Sequence, residues 1–585
     1  MIEPYRMTMV NLIFSVLLLL GIIIYKYVYP KRNINLLFLL VLISLLPLVS
    51  ILRKGTYESG DLTIHTGFAM SFYESLKDGN IIPRWSSQII YGYGYPLFLF
   101  AYPLPYYLAS LFHFIGFNFI NSLKLILALS FIASGIMMYL FIKEELKNRC
   151  SAFIAAIIYL FSPYHLVDLH FRAAIGEIIA FAILPFCFLT IRKMSNKITF
   201  LWFFLSSLSV TLLVLSHQAI SLISFPFIIA YCLYLWITKN RKKIKYIFFY
   251  ILSLIMGLLL SSFYWMPVIF EAKYTNLLTT GAVSFISLSQ LFYSPWRWGF
   301  LFQGPNGELS FIVGYIQWFI IIFSIILFFK GKISLKGKVV YLISVTSLFL
   351  FLIMTQSFSR TMWMNVSLLK GFQYSYRLLL LISFFVSIIA GVVIKNITQK
   401  WLFVSLCLIA ILTTIPNWGN RKTLPLLTDS SILYELPSNI TKVGQGTTIW
   451  VNSNNFKSNQ RTVPHIEIVQ GKADISEISR NSVKHSYLIN VTSKNALIKE
   501  NTLYFPNWIV RVNGNPYPFS FIDTAYPGII TFNLNKGSYK VDVSFMNTKV
   551  RAFSMFLSFF SFLALILIFL IISSKRIKNI FRNLI

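Results

Sequence analysis

The chain has 585 residues, of which 57% are hydrophobic, 17% aromatic and only 12% charged, and its mean hydropathy is +0.70. Soluble domains carry about 25% charged residues, so this composition excludes an ordinary soluble protein and indicates a membrane protein. The net charge of +32 would suit a nucleic-acid partner, but most Lys and Arg stand in short clusters between apolar runs. That positive-inside pattern argues against nucleic-acid binding and indicates the lipid bilayer as the partner.

Apolar runs near the length of a membrane-spanning helix occur thirteen times. Basic residues stand at every second junction between these runs, and such residues mark cytoplasmic ends. We therefore predict a multi-pass protein of the cell (plasma) membrane with its N-terminus outside and its C-terminus in the cytoplasm. The first run has no small-residue cleavage site, which predicts a retained helix. The predicted spans are 8–29, 34–52, 120–143, 150–164, 176–193, 198–216, 219–238, 246–267, 309–330, 338–354, 377–395, 401–417 and 551–573.

The segment 97–116, LFLFAYPLPYYLASLFHFIG, is also long enough to cross a bilayer. Its two prolines and several tyrosines suit a helix that lies at the membrane interface better. If this segment crossed, the alternation of basic junctions after it would be inverted. We therefore predict that it lies on the outer surface.

The four cysteines fall in or beside apolar segments, without a CxxC motif or histidines at ligand spacing. This pattern predicts small core residues and neither disulfides nor a zinc site. The cysteines are Cys150, Cys187, Cys232 and Cys407.

The composition changes at about Trp418. Residues 418–549 are rich in Asn, Ser, Thr, Val and Ile and contain alternating runs such as SYLINVTS and SYKVDVSF, which predict a β-rich domain of the sandwich type. The span and basic tail within 550–585 place this domain outside the cell. Residues 1–417 would form the helical membrane domain, with an acidic outer loop at 53–119.

Acidic residues are rare before residue 418, where eleven occur, and only Glu144 and Glu145 map to the predicted cytoplasmic side. The other nine map to the outer side. Such a group suits a metal site or a general base facing a compartment without ATP. The alternative is that loops are simply the places where a membrane protein tolerates acids.

Asp61 and His65 are four residues apart at the start of DLTIHTGFAMSFYESL. If this stretch is helical, both side chains share one face, and Asp61 could act as a general base or a metal ligand with His65 as a second ligand or orienting partner. The alternative is that Asp61 caps the helix and His65 is a solvated surface residue.

A second constellation, SPYHLVDLHFRAAIGEIIAFAILPF at 162–186, places Asp168, Arg172 and Glu177 in a short outer loop between apolar spans. Charges so close to a helix start are costly unless they are paired or functional. An Asp168–Arg172 ion pair and a helix-dipole role for Glu177 would explain them structurally, and both interpretations can hold together.

Two further polar positions lie at the predicted outer side. His217, in a turn between two spans, is either a ligand or a residue that hydrogen-bonds a helix end. Arg377 in QYSYRLLLLI could bind a lipid phosphate or extend towards the interface, and Arg360 and Lys370 add basic character to the same loop.

Seven short motifs follow one another along the chain: Gly60-Asp61 with His65, PRW at 83–85, GYGYPLFLFAYPLPYYL at 92–108, SPYHLVDLHFRAAIGE at 162–177, SHQ at 216–218, WMPVIFE at 265–271 and YSYRLLL at 374–380. Together they resemble the bacterial membrane proteins of the 6-pyruvoyl-tetrahydropterin synthase-related family. Their order is also similar to the GT-C class of polytopic glycosyltransferases, and YFPNWIVRVNGNPYPF at 504–519 resembles a turn in membrane proteins implicated in lipoteichoic-acid glycosylation. No soluble pterin enzyme is visible in the sequence.

The resemblance implies an outward-facing glycosyltransferase that uses a polyprenyl-phosphate-linked sugar as donor and a glycan, lipid or protein as acceptor. Asp61, assisted by His65, would deprotonate or orient the acceptor hydroxyl. Mg²⁺ or Mn²⁺ could add charge stabilisation at two carboxylates. The implied phosphate-binding residues are Arg172, His217 and Arg377, the acceptor-pocket residues Arg84, Trp85, Tyr102 and Tyr106, and the metal ligands Asp168 and Glu177.

Two other functions and two roles of the outer domain stay open at this point. A flippase for lipid-linked sugars would need polar residues along its spans, whereas the predicted helix centres are almost wholly apolar. A non-catalytic protein of envelope-polymer assembly would work through its β-rich domain. In an enzyme, that domain would either position the acceptor or serve as a lid, and Trp508 would either stack on sugar or belong to the core.

Overall fold

The computed structural model describes residues 3–276, 283–366, 369, 372–397, 399–419, 422–439, 448–451 and 463–582. Within these ranges, eight helices are long and apolar enough to cross a membrane, and two bent helix pairs would each make one further span. Three shorter apolar helices have 10–17 residues. Each of the thirteen predicted spans overlaps one of these helices or pairs, so the predicted polytopic helical architecture is confirmed. Lys370 lies outside the described residues.

Contacts divide the chain into two compact units, and each is described by itself. The predicted domain boundary at Trp418 lies close to Leu427, where the last part of the first unit ends. The second unit also takes in two stretches that the composition placed in the helical domain. The first unit comprises Met1–Thr63, Ile120–Leu258 and Ala282–Leu427, and the second comprises Ile64–Phe119, Leu259–Gly281 and Thr428–Ile585.

The first unit is a helical bundle with one short antiparallel strand pair, β1 (Thr56–Tyr57) with β2 (Thr423–Leu424). Polar side chains begin several of its helices: the Asn148 side chain, for example, accepts the N–H of Ser151. Its helices are Glu3–Val28, Leu36–Leu45, Phe119–Leu146, Arg149–Leu160, Pro163–Val167, Ile175–Asn196, Phe200–Ser216, Gln218–Thr238, Ile244–Leu260, Leu288–Phe292, Tyr315–Phe329, Leu335–Met354, Arg360–Asn365, Leu379–Lys395 and Lys400–Leu412.

The helices Arg149–Leu160 and Leu379–Lys395 form the centre of this bundle, since nearly all of their residues are buried. A helix that is apolar all round is expected in such a position. Glycines allow close helix contacts here: a Cβ atom on Gly135 would lie 2.6 Å from Leu160, and one on Gly391 would lie 3.1 Å from Ile142.

Two basic junctions that the alternation of spans placed on the same side of the membrane lie next to each other in the structure. Lys193 binds Glu144 at 2.7 Å, and Arg192 binds Glu145 at 2.6 Å, which joins the ends of two helices from different parts of the chain. The sequence alternation is therefore internally consistent at this end of the bundle. Which end faces the cytoplasm remains a prediction.

The second unit contains helices from three separate parts of the chain. The segment 97–116 forms two short helices separated at 101–103, and neither is long enough to span a bilayer, as expected for an interfacial segment. Its placement on the outer surface remains a prediction. The helices of this unit are Leu62–Lys77, Leu97–Phe100, Leu104–Phe114, Ser262–Glu271, Asp429–Asn439 and Lys549–Arg582.

The β-rich region forms one antiparallel sheet, which confirms the predicted β-rich class. Within the described residues it is a single six-stranded sheet rather than the two packed sheets of the predicted sandwich type. The two long strands β5 and β8 pair at the centre, β3 and β4 follow each other along the free side of β5, and β6 and then β7 follow β8. Alternate residues of β5 and β8 are buried in one apolar core. The strands are β3 (Ile466–Gln470), β4 (Ala473–Arg480), β5 (Lys484–Leu503), β6 (Trp508–Val512), β7 (Asn515–Tyr517) and β8 (Ile529–Phe545).

A charged group is buried within this sheet. The Glu500 carboxylate accepts hydrogen bonds from Arg480 at 2.9 Å and Tyr487 at 3.1 Å, and the Nδ1 atom of His485 lies 2.8 Å from it. Burial by itself raises the pKa of Glu500, but the opposing charges and hydrogen bonds of His485 and Arg480 prevail and lower this pKa from 4.5 to about 2.

We expect the second unit to lose stability as the pH falls from 4.5 towards 2, because the folded state then binds the Glu500 proton less readily than the unfolded chain does. Glu500 contributes its full stabilisation above pH 4.5. The unfolding transition of wild type and of Glu500→Gln, followed across this pH window, checks the expectation. The two proteins should converge in stability at low pH, and a constant difference would contradict it.

Candidate functional site

The site is built where a helix of the first unit breaks. Pro163 begins the short helix Pro163–Val167, and one wide π-helical turn follows at Asp168–Arg172. Ala173 then adopts the left-handed conformation (φ 54°), which ends the turn before the helix Ile175–Asn196 begins. The axis also bends by 47° before the site, between the helix Arg149–Leu160 and the segment Pro163–Arg172. The chain thereby places Asp168 and Arg172 next to Glu177 in the first turn of the following helix.

Arg172 lies at the centre of the charges that this break brings together. Its Nη1 atom donates to the Asp168 carboxylate at 2.5 Å and to the Tyr164 hydroxyl at 2.9 Å, and its Nη2 atom donates to Glu177 at 3.0 Å. All four side chains are buried, with Asp168 at 0% exposure. The structural interpretation of the sequence, an Asp168–Arg172 ion pair, is therefore correct.

Glu177 connects this group to two other helices. The Tyr164 hydroxyl donates to one carboxylate oxygen at 2.5 Å, and Arg377 Nε donates to the other at 3.3 Å. His217 Nε2 lies 3.9 Å from the same oxygen as Arg377. The side chains of Tyr164, Asp168, Arg172, Glu177, His217 and Arg377 together form what we name the Glu177 cluster. It holds two carboxylates and two guanidinium groups, so its fixed charges balance.

Arg377 differs from Arg172 in what its guanidinium group can still bind. Its Nη1 atom donates to the Phe372 carbonyl at 2.7 Å and its Nε atom to Glu177, while Nη2 has no partner among the described residues. Its side chain keeps 16% exposure. Arg377 can thus bind an anion while it keeps its hydrogen bond to Glu177, whereas the guanidinium group of Arg172 is already bound by two carboxylates.

Aromatic rings surround the two arginines. The Arg172 guanidinium lies 5.1 Å from the centre of the Tyr376 ring, and that of Arg377 lies 5.4 Å from the Tyr374 ring. Tyr376 also stacks on Phe311 at 4.3 Å. Such cation–π contacts fix the orientation of the guanidinium groups.

Asp61 lies beside the Glu177 cluster through its backbone. Its N–H donates to the carbonyl oxygen of Arg172 at 2.8 Å, and the N–H of Gly60 donates to that of Phe171 at 2.9 Å. The Ser59 hydroxyl accepts the N–H of Leu62 where the next helix begins. The half-buried Asp61 carboxylate makes no hydrogen bond or ion pair with the described residues, so it is available to a substrate.

The other predicted site residues lie in the second unit. His65 Nδ1 is 2.9 Å from the Tyr106 hydroxyl, and the Tyr102 ring lies 6.4 Å from the His65 ring. Trp85 is buried in the core of the sheet, where its ring contacts that of Trp508 at 5.2 Å. These residues therefore form aromatic and polar contacts of their own.

The predicted metal ligands do not fit a metal site as the structure places them. Asp168 and Glu177 both bind the Arg172 guanidinium, which already neutralises them. In the described part of the chain, no group of three or more His, Cys, Asp or Glu side chains could hold a metal ion. We derive no chemical step through a metal here.

The sequence identified most of the Glu177 cluster but missed its member Tyr164 and the adjacent Tyr376. Asp168, Arg172, Glu177, His217 and Arg377 were all singled out, and the structure brings them together. Tyr164 and Tyr376 were not singled out, although each stands within a motif, SPYH or YSYR, that also carries a predicted residue.

Comparison with known proteins identifies the family of this chain. The family model described as a 6-pyruvoyl-tetrahydropterin synthase related domain of a membrane protein matches residues 99–429, more than half of the sequence. An uncharacterised protein of Lactococcus lactis subsp. cremoris (strain MG1363) is 26% identical over 211 residues. That alignment covers 35% of this chain and 34% of the relative, so it spans about a third of each.

Solved structures of two membrane transferases show a weak similarity. Arabinofuranosyltransferase AftD from Mycobacteria matches with 15% identity and a TM-score of 0.38, over 65% of this chain and 26% of that protein. The Archaeoglobus fulgidus oligosaccharyltransferase matches with 13% identity and a TM-score of 0.38, over 69% of this chain and 56% of that protein.

Proposed function

The chain belongs to the 6-pyruvoyl-tetrahydropterin synthase-related family of membrane proteins, and from the Glu177 cluster we propose that it is a membrane glycosyltransferase of the GT-C type. It would move a sugar from a polyprenyl-phosphate donor to an envelope glycan, lipid or protein on the outer face of the membrane. The observation that carries this proposal is the available carboxylate of Asp61 beside a buried, charge-balanced cluster that retains one open guanidinium edge.

The proposed reaction is a substitution at the anomeric carbon of the donor sugar. The Asp61 carboxylate takes the proton of the acceptor hydroxyl, whose oxygen forms a bond to the anomeric carbon. The bond between that carbon and the phosphate oxygen breaks, and the electron pair leaves with the lipid phosphate. The new negative charge develops on the phosphate, which is where a fixed cation is most useful.

Arg377 is the residue best suited to meet that charge. Its free Nη2 atom and its partial exposure allow a charge-assisted hydrogen bond to a phosphate oxygen. His217, which also approaches Glu177, is the second candidate. Arg172 would act as a positioning residue, because Asp168 and Glu177 hold its guanidinium between them and thereby fix the turn to which Asp61 is bonded.

The second unit would contribute acceptor recognition in this proposal. His65 and Tyr106 are buried and hydrogen-bond each other, and the half-buried Tyr102 ring next to them would be the group that stacks on an acceptor sugar. The N-terminus would face outside and the C-terminus the cytoplasm, as the basic junctions predict.

Mass spectrometry of envelope glycans from cells that lack the gene tests the proposed activity. We expect one sugar to be missing from one polymer, and the wild-type gene to restore it. A complete set of glycans in the deletion strain would contradict the proposal. A flippase would instead move labelled lipid-linked sugar across vesicles that contain the purified protein, without forming a new glycosidic bond.

A further inference from the structure

Arg84 in the second unit is buried without a counter-charge of its own. Only 7% of the Arg84 surface is exposed, and its Nη2 atom is fully buried. Arg84 makes no hydrogen bond, ion pair or cation–π contact with the residues that the structure describes. Arginines are almost never buried unless they are paired, because removing an uncompensated charge from water is very costly.

The nearby acid does not resolve this imbalance. Glu271 is the acidic residue whose charge acts on Arg84, but its carboxylate already accepts from Arg551 Nε at 2.9 Å and from the Thr548 hydroxyl at 2.5 Å. Arg551 is itself fully buried. Glu271 thus pairs with Arg551 and acts on Arg84 only through its charge, so the two guanidinium groups and one carboxylate leave a net charge of about +1.

A neighbouring tyrosine does not supply the missing negative charge either. The hydroxyl of Tyr107 donates to the Ile81 carbonyl at 2.7 Å. Burial raises the pKa of Tyr107 to about 12, so this hydroxyl is protonated at neutral pH. Burial lowers the pKa of Arg84 only to about 10, which leaves Arg84 a cation under the same conditions.

Packing holds the residues around Arg84 in place. The ring of the next residue, Trp85, contacts both Trp508 and Phe545 at 5.2 Å, and the Arg551 guanidinium lies 4.6 Å from the Phe545 ring. The backbone that carries Arg84 is thus held next to a buried aromatic core through Trp85.

We propose that Arg84 is the cationic centre of an anion-binding site in the second unit and that its ligand is an oxyanion of the phosphate or carboxylate type. The planar guanidinium group matches such oxyanions with two parallel hydrogen bonds. If the proposed function is correct, on which this last step rests, the oxyanion belongs to the acceptor, which is then a glycan or lipid that carries phosphate or carboxylate groups.

Thermal unfolding of the purified full chain in uncharged detergent tests the site. The probes are inorganic phosphate and acetate, each against chloride at equal ionic strength. We expect one of the two oxyanions to raise the apparent Tm of wild type steadily with the logarithm of its concentration, equivalent to about a 100-fold shift of the folding equilibrium at 100 times its Kd. Arg84→Met should lose this response, and Arg84→Lys should retain a weaker one.

A matched control separates this site from the proposed active site. Arg377→Gln should keep the response that depends on Arg84, even if Arg377 also binds phosphate. Because it removes an uncompensated buried charge, Arg84→Met should also be at least as stable as wild type without oxyanion. A response of equal size in wild type and Arg84→Met would overturn the proposal.

Nanodiscs distinguish a lipid headgroup from a soluble oxyanion. Phosphatidylglycerol nanodiscs could stabilise wild type, but not Arg84→Met, relative to phosphatidylcholine nanodiscs, while inorganic phosphate and acetate have no effect. That result would confirm the anion site and identify its ligand as a lipid headgroup. The absence of a response to all three probes would refute the site. Asp61→Asn should leave every response intact, so failure of the glycosyltransferase proposal and failure of the anion site would be recorded separately.

Discussion

Replacement of Asp61 by Asn is expected to lower the rate of sugar transfer about 10²- to 10⁴-fold, the range that a general base typically contributes. Asparagine keeps the size of the side chain and leaves the backbone bond from residue 61 to the Arg172 carbonyl in place. It cannot accept a proton from the acceptor hydroxyl. Because the Asp61 carboxylate has no hydrogen-bond partner in the described structure, its loss should leave the Tm unchanged.

Two further variants show whether such a loss is specific. Glu74→Gln changes an exposed carboxylate of the neighbouring helix, whose described partner is Gln88, and should retain full activity. Arg377→Gln should lower kcat and kcat/KM for the polyprenyl-phosphate donor together, since it removes the cation that meets the charge developing on the leaving phosphate. Transfer of a radiolabelled sugar by purified protein measures all three variants, and unchanged transfer by Asp61→Asn would remove this residue from the base role.

The membrane-spanning helices could be predicted from the sequence because their signal is local. A bilayer requires about 20 apolar residues for each span, and the basic clusters mark every second end. The positions at which two of these helices are broken could not be predicted in the same way. The 70° bend between Ile244–Leu260 and Ser262–Tyr274 occurs within an apolar run, so hydropathy alone could not locate it.

The Glu177 cluster was only partly predictable for a related reason. Asp168, Arg172 and Glu177 are close in sequence, and charged residues next to apolar spans are rare enough to indicate a functional site. The bond from Arg377 to Glu177 joins residues 200 positions apart, and such a pairing has no signature in one sequence. Tyr164 and Tyr376 resemble ordinary interfacial aromatic residues until the fold places them against Arg172.

Glu271 illustrates the same limit in the second unit. The sequence showed it as one acid at the end of WMPVIFE, while its partner Arg551 follows 280 positions later, at the start of the last predicted span. The sequence placed Glu271 among the nine acids of the predicted outer side, and the structure shows that it is buried at 2% exposure. Its role depends on contacts that only the folded chain provides.

Glu271→Gln is expected to destabilise the second unit by about 3–5 kcal/mol, the usual consequence of removing one partner of a buried ion pair. Two buried cations, Arg84 and Arg551, would then lose the carboxylate whose charge acts on both of them. Adding Arg84→Met should recover part of this loss, since one of the two charges is removed. Denaturant unfolding of the single and double variants measures the coupling. Glu308→Gln, which changes an exposed acid, should alter stability far less than Glu271→Gln does. If Glu271→Gln is as stable as this control, the Arg551 charge must be compensated by other means.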